Sequence, residues 1–111
     1  MGDMRVEKVA FLYSEDCPSH EEALSRLREV MDQEGIHLNI QLINIKTSEE
    51  ALKCRFRGSP TILIDDRDID PASSEQFGLA CRAYRLEDGR ISPLPSKSMI
   101  RKALRDVRKA T

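Results

Sequence analysis

The chain is expected to form an α/β domain, a four-stranded mixed sheet flanked by three helices in the order β-α-β-α-β-β-α. Three observations predict it. The run VAFLY, ending at Tyr13, is short, β-branched and aromatic, and apolar on both faces, as a strand covered on both sides must be. Two stretches, Ala23–Met31 and Met99–Val107, repeat apolar residues at helical spacing with charges between them, which marks amphipathic helices. Between them, apolar runs are separated by Gly, Pro and Asp-Gly steps, the punctuation of strands and turns. At 111 residues the length suits one domain, residues 1–111, and not two independent cores.

Taken in order, Val6–Tyr13 is the first strand, and Ser14-Glu15-Asp16 is a loop leading into Cys17-Pro18. From Ser19 the period becomes helical through Ala23, Leu24, Leu27, Val30 and Met31, and Gly35 ends the helix as a C′ residue. Ile36, Leu38, Ile40 and Leu42 then alternate with His37, Asn39 and Gln41, so this strand has one polar face and belongs near a sheet edge. Thr47 and Glu50 have capping-box spacing and open a short helix through about Arg55, broken by Gly58-Ser59-Pro60. Thr61–Ile64 is an apolar strand. Asp65–Leu79 is acidic and without period, hence a long loop, and Cys81–Leu86 is expected as the last strand, antiparallel to the third. Asp88-Gly89 marks a turn. Ser96 can cap a final helix carrying Met99, Ile100, Ala103, Leu104 and Val107, whose basic tail of Arg101, Lys102, Arg105, Arg108 and Lys109 suits a solvated, dipole-compensating end.

Composition excludes several classes of function. Apolar residues are 40% and charged residues 33%, with a net charge of −1, which argues against a nucleic-acid surface. Aromatics are only 5%, with no Trp, too few for a base-stacking platform. No run approaches the length of a membrane span, and the first residues, MGDMRVEKVAFLY, do not have the form of a signal peptide. A cytoplasmic protein with no membrane partner is the expectation. Cysteines at 17, 54 and 81 are odd in number and widely spaced, and the histidines are His20 and His37. That pattern gives neither a disulfide framework nor a zinc half-site, so no metal and no cofactor is expected. The aspartates at 65, 66, 68 and 70 lack the glycine and distal glutamate of a calcium loop.

Chemistry concentrates at Cys17. A Cys-Pro step after a buried strand and before a helix places proline in the first turn, where its missing N–H costs nothing. The positive end of the helix then favours thiolate over thiol, and the thiolate is the nucleophile of disulfide exchange. The bland counterpart is a small buried hydrophobe at a strand–helix junction. His20, three residues on, is placed either to stabilise that thiolate or to face solvent.

The segments VAFLYSEDCP and FRGSPTILID, with the terminal amphipathic helix, resemble the thioredoxin superfamily in its shorter, glutaredoxin-like form, over nearly the whole chain. FRGSPTILID and GLACRAYR are similar to phrases in small prokaryotic thioredoxin-like proteins, some of them labelled alkylmercury lyases. The resemblance implies that Cys17 is the attacking thiol, that Pro60 is cis, and that Pro18, Ser59, Pro60 and Thr61 form the substrate-binding surface. The chain departs from the family's Cys-x-x-Cys motif, for it has Cys17-Pro18-Ser19-His20. A dithiol cycle within the motif is thereby excluded. What is expected is a monothiol thiol-disulfide oxidoreductase acting on a protein or small-molecule thiol or disulfide, with Cys17 and His20 as catalytic residues. Cys54, otherwise a packing residue, is the candidate resolving thiol, whereas Cys81 is expected too far along the sheet. Two other readings stay open. One is a non-catalytic module that keeps the fold and binds a peptide or a soft metal such as mercury or copper(I); the other is a structural or oligomerisation subunit with no site. The oligomeric state is left undetermined.

Overall fold

The computed structural model describes residues 6–15, 20–70 and 83–109, with side chains through Val107. Its elements are β1 (Val9–Tyr13), α1 (His20–Gln33), β2 (Ile40–Asn44), α2 (Ser48–Lys53), β3 (Thr61–Ile64), β4 (Arg67–Asp68), β5 (Tyr84–Arg85), β6 (Ile91–Ser92) and α3 (Lys97–Lys109). The first four strands form one mixed sheet in the order β2-β1-β3-β4. β1 is parallel to β2, with Val9 beside Ile40 and Tyr13 beside Asn44. It is antiparallel to β3, with Val9 beside Ile64 and Leu12 beside Thr61.

Alternation along β1 divides the core in two. Val9 and Phe11 face one side, where Ala23, Leu27, Val30 and Met31 of α1 and Ile100 and Leu104 of α3 bury themselves with Ile62 and Ile64. Ala10 and Leu12 face the other side, against Ile45, Ala51 of α2 and Phe56. Both faces of the central strand are therefore covered, which is why VAFLY has no polar position. The spacing of the α1 and α3 stripes predicts these contacts correctly, with Leu24, Ala103 and Val107 partly buried at the margin.

The helix ends follow from local chemistry. Thr47 caps α2, accepting the Glu50 N–H at 3.1 Å, while the Glu50 carboxylate accepts the Thr47 N–H at 3.2 Å; this is the capping box expected from the spacing. Ser96 accepts the Met99 N–H at 3.1 Å at the start of α3. At the end of α1, Gly35 has φ 71°, and the Ile36 N–H reaches the Met31 carbonyl at 2.8 Å while the Gly35 N–H reaches Asp32 at 3.1 Å. These two bonds are a Schellman motif, closed by the buried Met31 and Ile36 side chains.

The end of α2 repeats that motif without glycine. The Phe56 N–H donates to Ala51 at 2.8 Å and the Arg55 N–H to Leu52 at 3.3 Å, with Arg55 in the left-handed region at φ 53°. A Cβ in that region costs roughly 1 kcal/mol, here offset by burying Phe56. Arg55→Gly should therefore stabilise the domain by about 0.5–1 kcal/mol. A chemical denaturation midpoint that stays unchanged or falls would refute the account.

Two expectations need correction. Among the described residues the fourth strand of the sheet is Arg67–Asp68, paired to β3 through Leu63–Asp68 and Ile64–Arg67; of the expected strand Cys81–Leu86, Cys81 and Arg82 lie outside the described residues. Within its described part, Tyr84–Arg85 pairs instead with Ile91–Ser92 in a two-stranded ribbon, turned through Asp88-Gly89 as expected. Residues 65–68 are accordingly not loop, because Asp65 and Asp66 form a two-residue turn with φ 51° and 66° leading into β4. Such positive angles match the twist of a hairpin, and aspartate tolerates them better than most residues. The Asp65 carboxylate also accepts the N–H groups of Glu7 at 2.9 Å and Lys8 at 2.7 Å, tying the turn to the chain entering β1.

The alternating strand is likewise shorter than expected, beginning at Ile40, and Leu42 is 48% exposed. Among the described strands β2 does lie at an edge, where Leu42 has a described neighbouring strand on one side only. The basic end of α3 is not merely solvated. Arg105 pairs with Glu34 at 2.9 Å, and Arg101 donates to Gln33 at 2.5 Å, so both arginines join α3 to the end of α1. No helix among the described residues is long and apolar enough to cross a membrane.

Candidate functional site

Because β1 and β3 are antiparallel, the end of β1 and the start of β3 share one end of the sheet, with Leu12 beside Thr61. The chain leaves β1 at Ser14 and enters β3 from Gly58-Ser59-Pro60. The Ser14 N–H donates to the Ser59 hydroxyl at 3.0 Å, a buried bond across 45 residues. Ser14, Ser59 and Thr61 are the buried polar residues beside an otherwise apolar core. Each is satisfied, as buried polar groups must be: the Thr61 hydroxyl donates to the Gly58 carbonyl at 2.7 Å. Gly58 has φ 123°, a conformation in which a Cβ would be severely strained.

The Ser59–Pro60 peptide bond is cis, as the family resemblance implies. The Pro60 carbonyl accepts the hydroxyl of Tyr84 at 2.6 Å. Tyr84 is fully buried, so the ribbon of β5 and β6 reaches into this end of the sheet and holds the backbone of the Pro60 step.

His20 is the first residue of α1 and half-buried. Its ring stacks on Tyr13, with centroids 4.8 Å apart and planes 25° from parallel. Tyr13 is the last residue of β1, and its carbonyl accepts the Ile45 N–H at 2.7 Å. The start of the helix is thus braced against the end of the strand it follows.

These contacts bring together Ser59, Pro60 and Thr61 with Ser14, and place His20 against Tyr13 on the same exit from β1. Cys17, Pro18 and Cys81 lie outside the described residues, as do residues 71–79 of the expected loop. Cys54 is exposed and caps the carboxyl end of α2. α2 packs on the sheet face opposite α1, so Cys54 and His20 belong to different layers. Among the described residues no group of three His, Cys, Asp or Glu side chains is arranged to hold a metal ion.

Sequence reasoning missed Ser14, Tyr13 and Tyr84. Ser14 carries a weak signal, being the first polar residue after a fully apolar strand. Tyr84 carries none, since its partner is 24 residues away. A pocket of about 290 Å³, lined by Arg28, Asp32, His37, Asn39 and Ile40 among others, lies elsewhere. Ile40 pairs with Val9 at the start of β1, the opposite end of the sheet from Ser14 and Ser59.

Comparison with protein-family models, with curated proteins and with solved structures finds no match for this chain.

Proposed function

We propose that the chain is a thioredoxin-like, monothiol thiol-disulfide oxidoreductase of the cytoplasm, with Cys17 as its attacking thiol. The observation that carries this reading is the buried Ser14–Ser59 hydrogen bond. It anchors the chain three residues before Cys17 to the serine that precedes cis Pro60, and His20, three residues after Cys17, opens α1 beside Tyr13. The sheet order β2-β1-β3-β4, with helices on both faces, supports the same reading.

In this reading the Cys17 thiolate attacks one sulfur of a substrate disulfide. A mixed disulfide forms on Cys17 and the other sulfur leaves as a thiolate that takes a proton from water. With His20 where a second cysteine would stand, a thiol outside the motif must then attack the mixed disulfide and release Cys17. An external small-molecule thiol serves, and the exposed Cys54 of a second molecule is open to the same exchange. The missing second cysteine also favours the other reading, a module that holds a peptide or a soft metal at Cys17 with no release step.

The test is the rate at which each cysteine attacks a small disulfide across pH, followed by mass spectrometry, in the native chain and in Cys17→Ser. A rapid reaction confined to Cys17, with its midpoint displaced to lower pH, supports the oxidoreductase. Equal rates at all three cysteines refute it.

A further inference from the structure

We propose that the outer edge of β2 is a self-pairing surface, through which two copies of this chain join their sheets in an antiparallel, twofold dimer centred on Leu42. A sheet edge is a row of unsatisfied donors and acceptors, which proteins ordinarily blunt with short strands, charges or proline. The opposite edge of this sheet is blunted so: β4 has two residues, Arg67 and Asp68, both charged. The β2 edge has none of these defences. Its five residues, Ile40-Gln41-Leu42-Ile43-Asn44, lie within a ten-residue run, Ile36–Ile45, with no Asp, Glu, Lys or Arg, in a chain that is 33% charged. No other described strand pairs with its far side.

The backbone direction fixes which groups are offered. The Ile45 N–H points inward, donating to Tyr13 of β1. Backbone groups alternate in direction along a strand, so Gln41 and Ile43 also face β1, while Ile40, Leu42 and Asn44 face away. Three outward residues with Leu42 in the middle are self-complementary under a twofold axis. Leu42 meets its own copy as a hydrogen-bonded pair, and Ile40 meets Asn44 in both directions. All the outward N–H and C=O groups of the strand are thereby satisfied, and the two sheets become one.

The side chains point to a second copy and not to a foreign strand. At a twofold axis a charged residue faces its own like charge; Leu42 and the Ile40–Asn44 pair avoid this entirely. Leu42 is also one of only three large apolar side chains that are exposed among the described residues, at 48%. Its side chain lies on the Phe11 side of the sheet, where pairing sets it directly against its copy.

Sedimentation of the full chain from about 1 μM to about 1 mM tests this. The expected result is a reversible dimer that Leu42→Lys weakens by roughly 100-fold, because two like charges then face each other across the axis. A second variant tests the register and does not depend on the lysine variant folding. In a background with Cys17, Cys54 and Cys81 changed to serine, Leu42→Cys should form a covalent dimer under mild oxidation. Hydrogen-bonded residues that face each other have Cα atoms about 5.5 Å apart, inside the range of a disulfide. Ile40→Cys should not, since Ile40 and its copy are four residues out of register, ~14 Å along the strand. A monomer throughout the range, a dimer indifferent to Leu42→Lys, or equal cross-linking at both positions overturns the proposal.

Discussion

Replacing Tyr84 by alanine should cost about 3–5 kcal/mol, the range for truncating a large buried aromatic side chain. Tyr84 is the largest of the fully buried side chains among the described residues, yet it stands on a strand of only two residues. Its ring fills core space that the short β5–β6 ribbon cannot collapse to fill. Its hydroxyl holds the Pro60 carbonyl at 2.6 Å. Tyr84→Phe separates the two contributions: it keeps the ring and leaves a buried carbonyl without that donor, for about 1–2 kcal/mol. A domain has only roughly 5–15 kcal/mol of stability in total, so the alanine variant should be visibly close to unfolding. Urea midpoints decide it, with Leu52→Ala as control, since Leu52 is 61% exposed and should move stability by less than about 0.5 kcal/mol. If Tyr84→Ala behaves like the control, Tyr84 does not hold this end of the sheet.

The contrast between Tyr84 and the helices shows what the sequence makes legible. The faces of α1 and α3, the capping box at Thr47 and the stop at Gly35 are decided within four or five residues of chain, and local spacing reveals them. β4 is different. A two-residue strand has no period to detect, and its turn uses Asp65-Asp66 in place of the Asn-Gly or Asp-Gly that announces such hairpins. What favours that turn is the Asp65 carboxylate accepting N–H groups from Glu7 and Lys8, 58 and 57 residues away. Without it, Cys81–Leu86 is the natural choice for a fourth strand.

The site divides in the same way. Pro60 and His20 stand out because of their neighbours in sequence. The contacts that hold them, Ser14 to Ser59, Tyr84 to Pro60 and Tyr13 to His20, come from folding and have no local signature. The proposed function puts the chemistry at Cys17, and the structure supplies the residues that hold that end of the sheet in place.

Cys17→Ser should remove the fast reaction with a small disulfide entirely, while Cys54→Ser leaves it intact. How fast that reaction is can be bounded. An ordinary thiol is about 3% ionised at pH 7, so full ionisation raises the attacking fraction by at most ~30-fold. The more acidic thiol is also the weaker nucleophile, which takes back most of that gain and leaves a ceiling of roughly three- to fivefold. At pH 6 the ordinary thiol is only ~0.3% ionised, and the ceiling rises about threefold more, to roughly tenfold. The contrast between Cys17 and the exposed Cys54 should therefore grow on acidification, a trend that mere accessibility does not produce. His20→Ala, read on the same profile, shows whether the imidazole stacked on Tyr13 acts on the thiol. If it does, the Cys17 midpoint moves to higher pH and the contrast at pH 6 shrinks. If the profile is unchanged, the activation belongs to the helix terminus alone. A ratio between Cys17 and Cys54 that is flat from pH 6 to pH 8 would mean that Cys17 is not an activated thiol, and the oxidoreductase reading would fall with it.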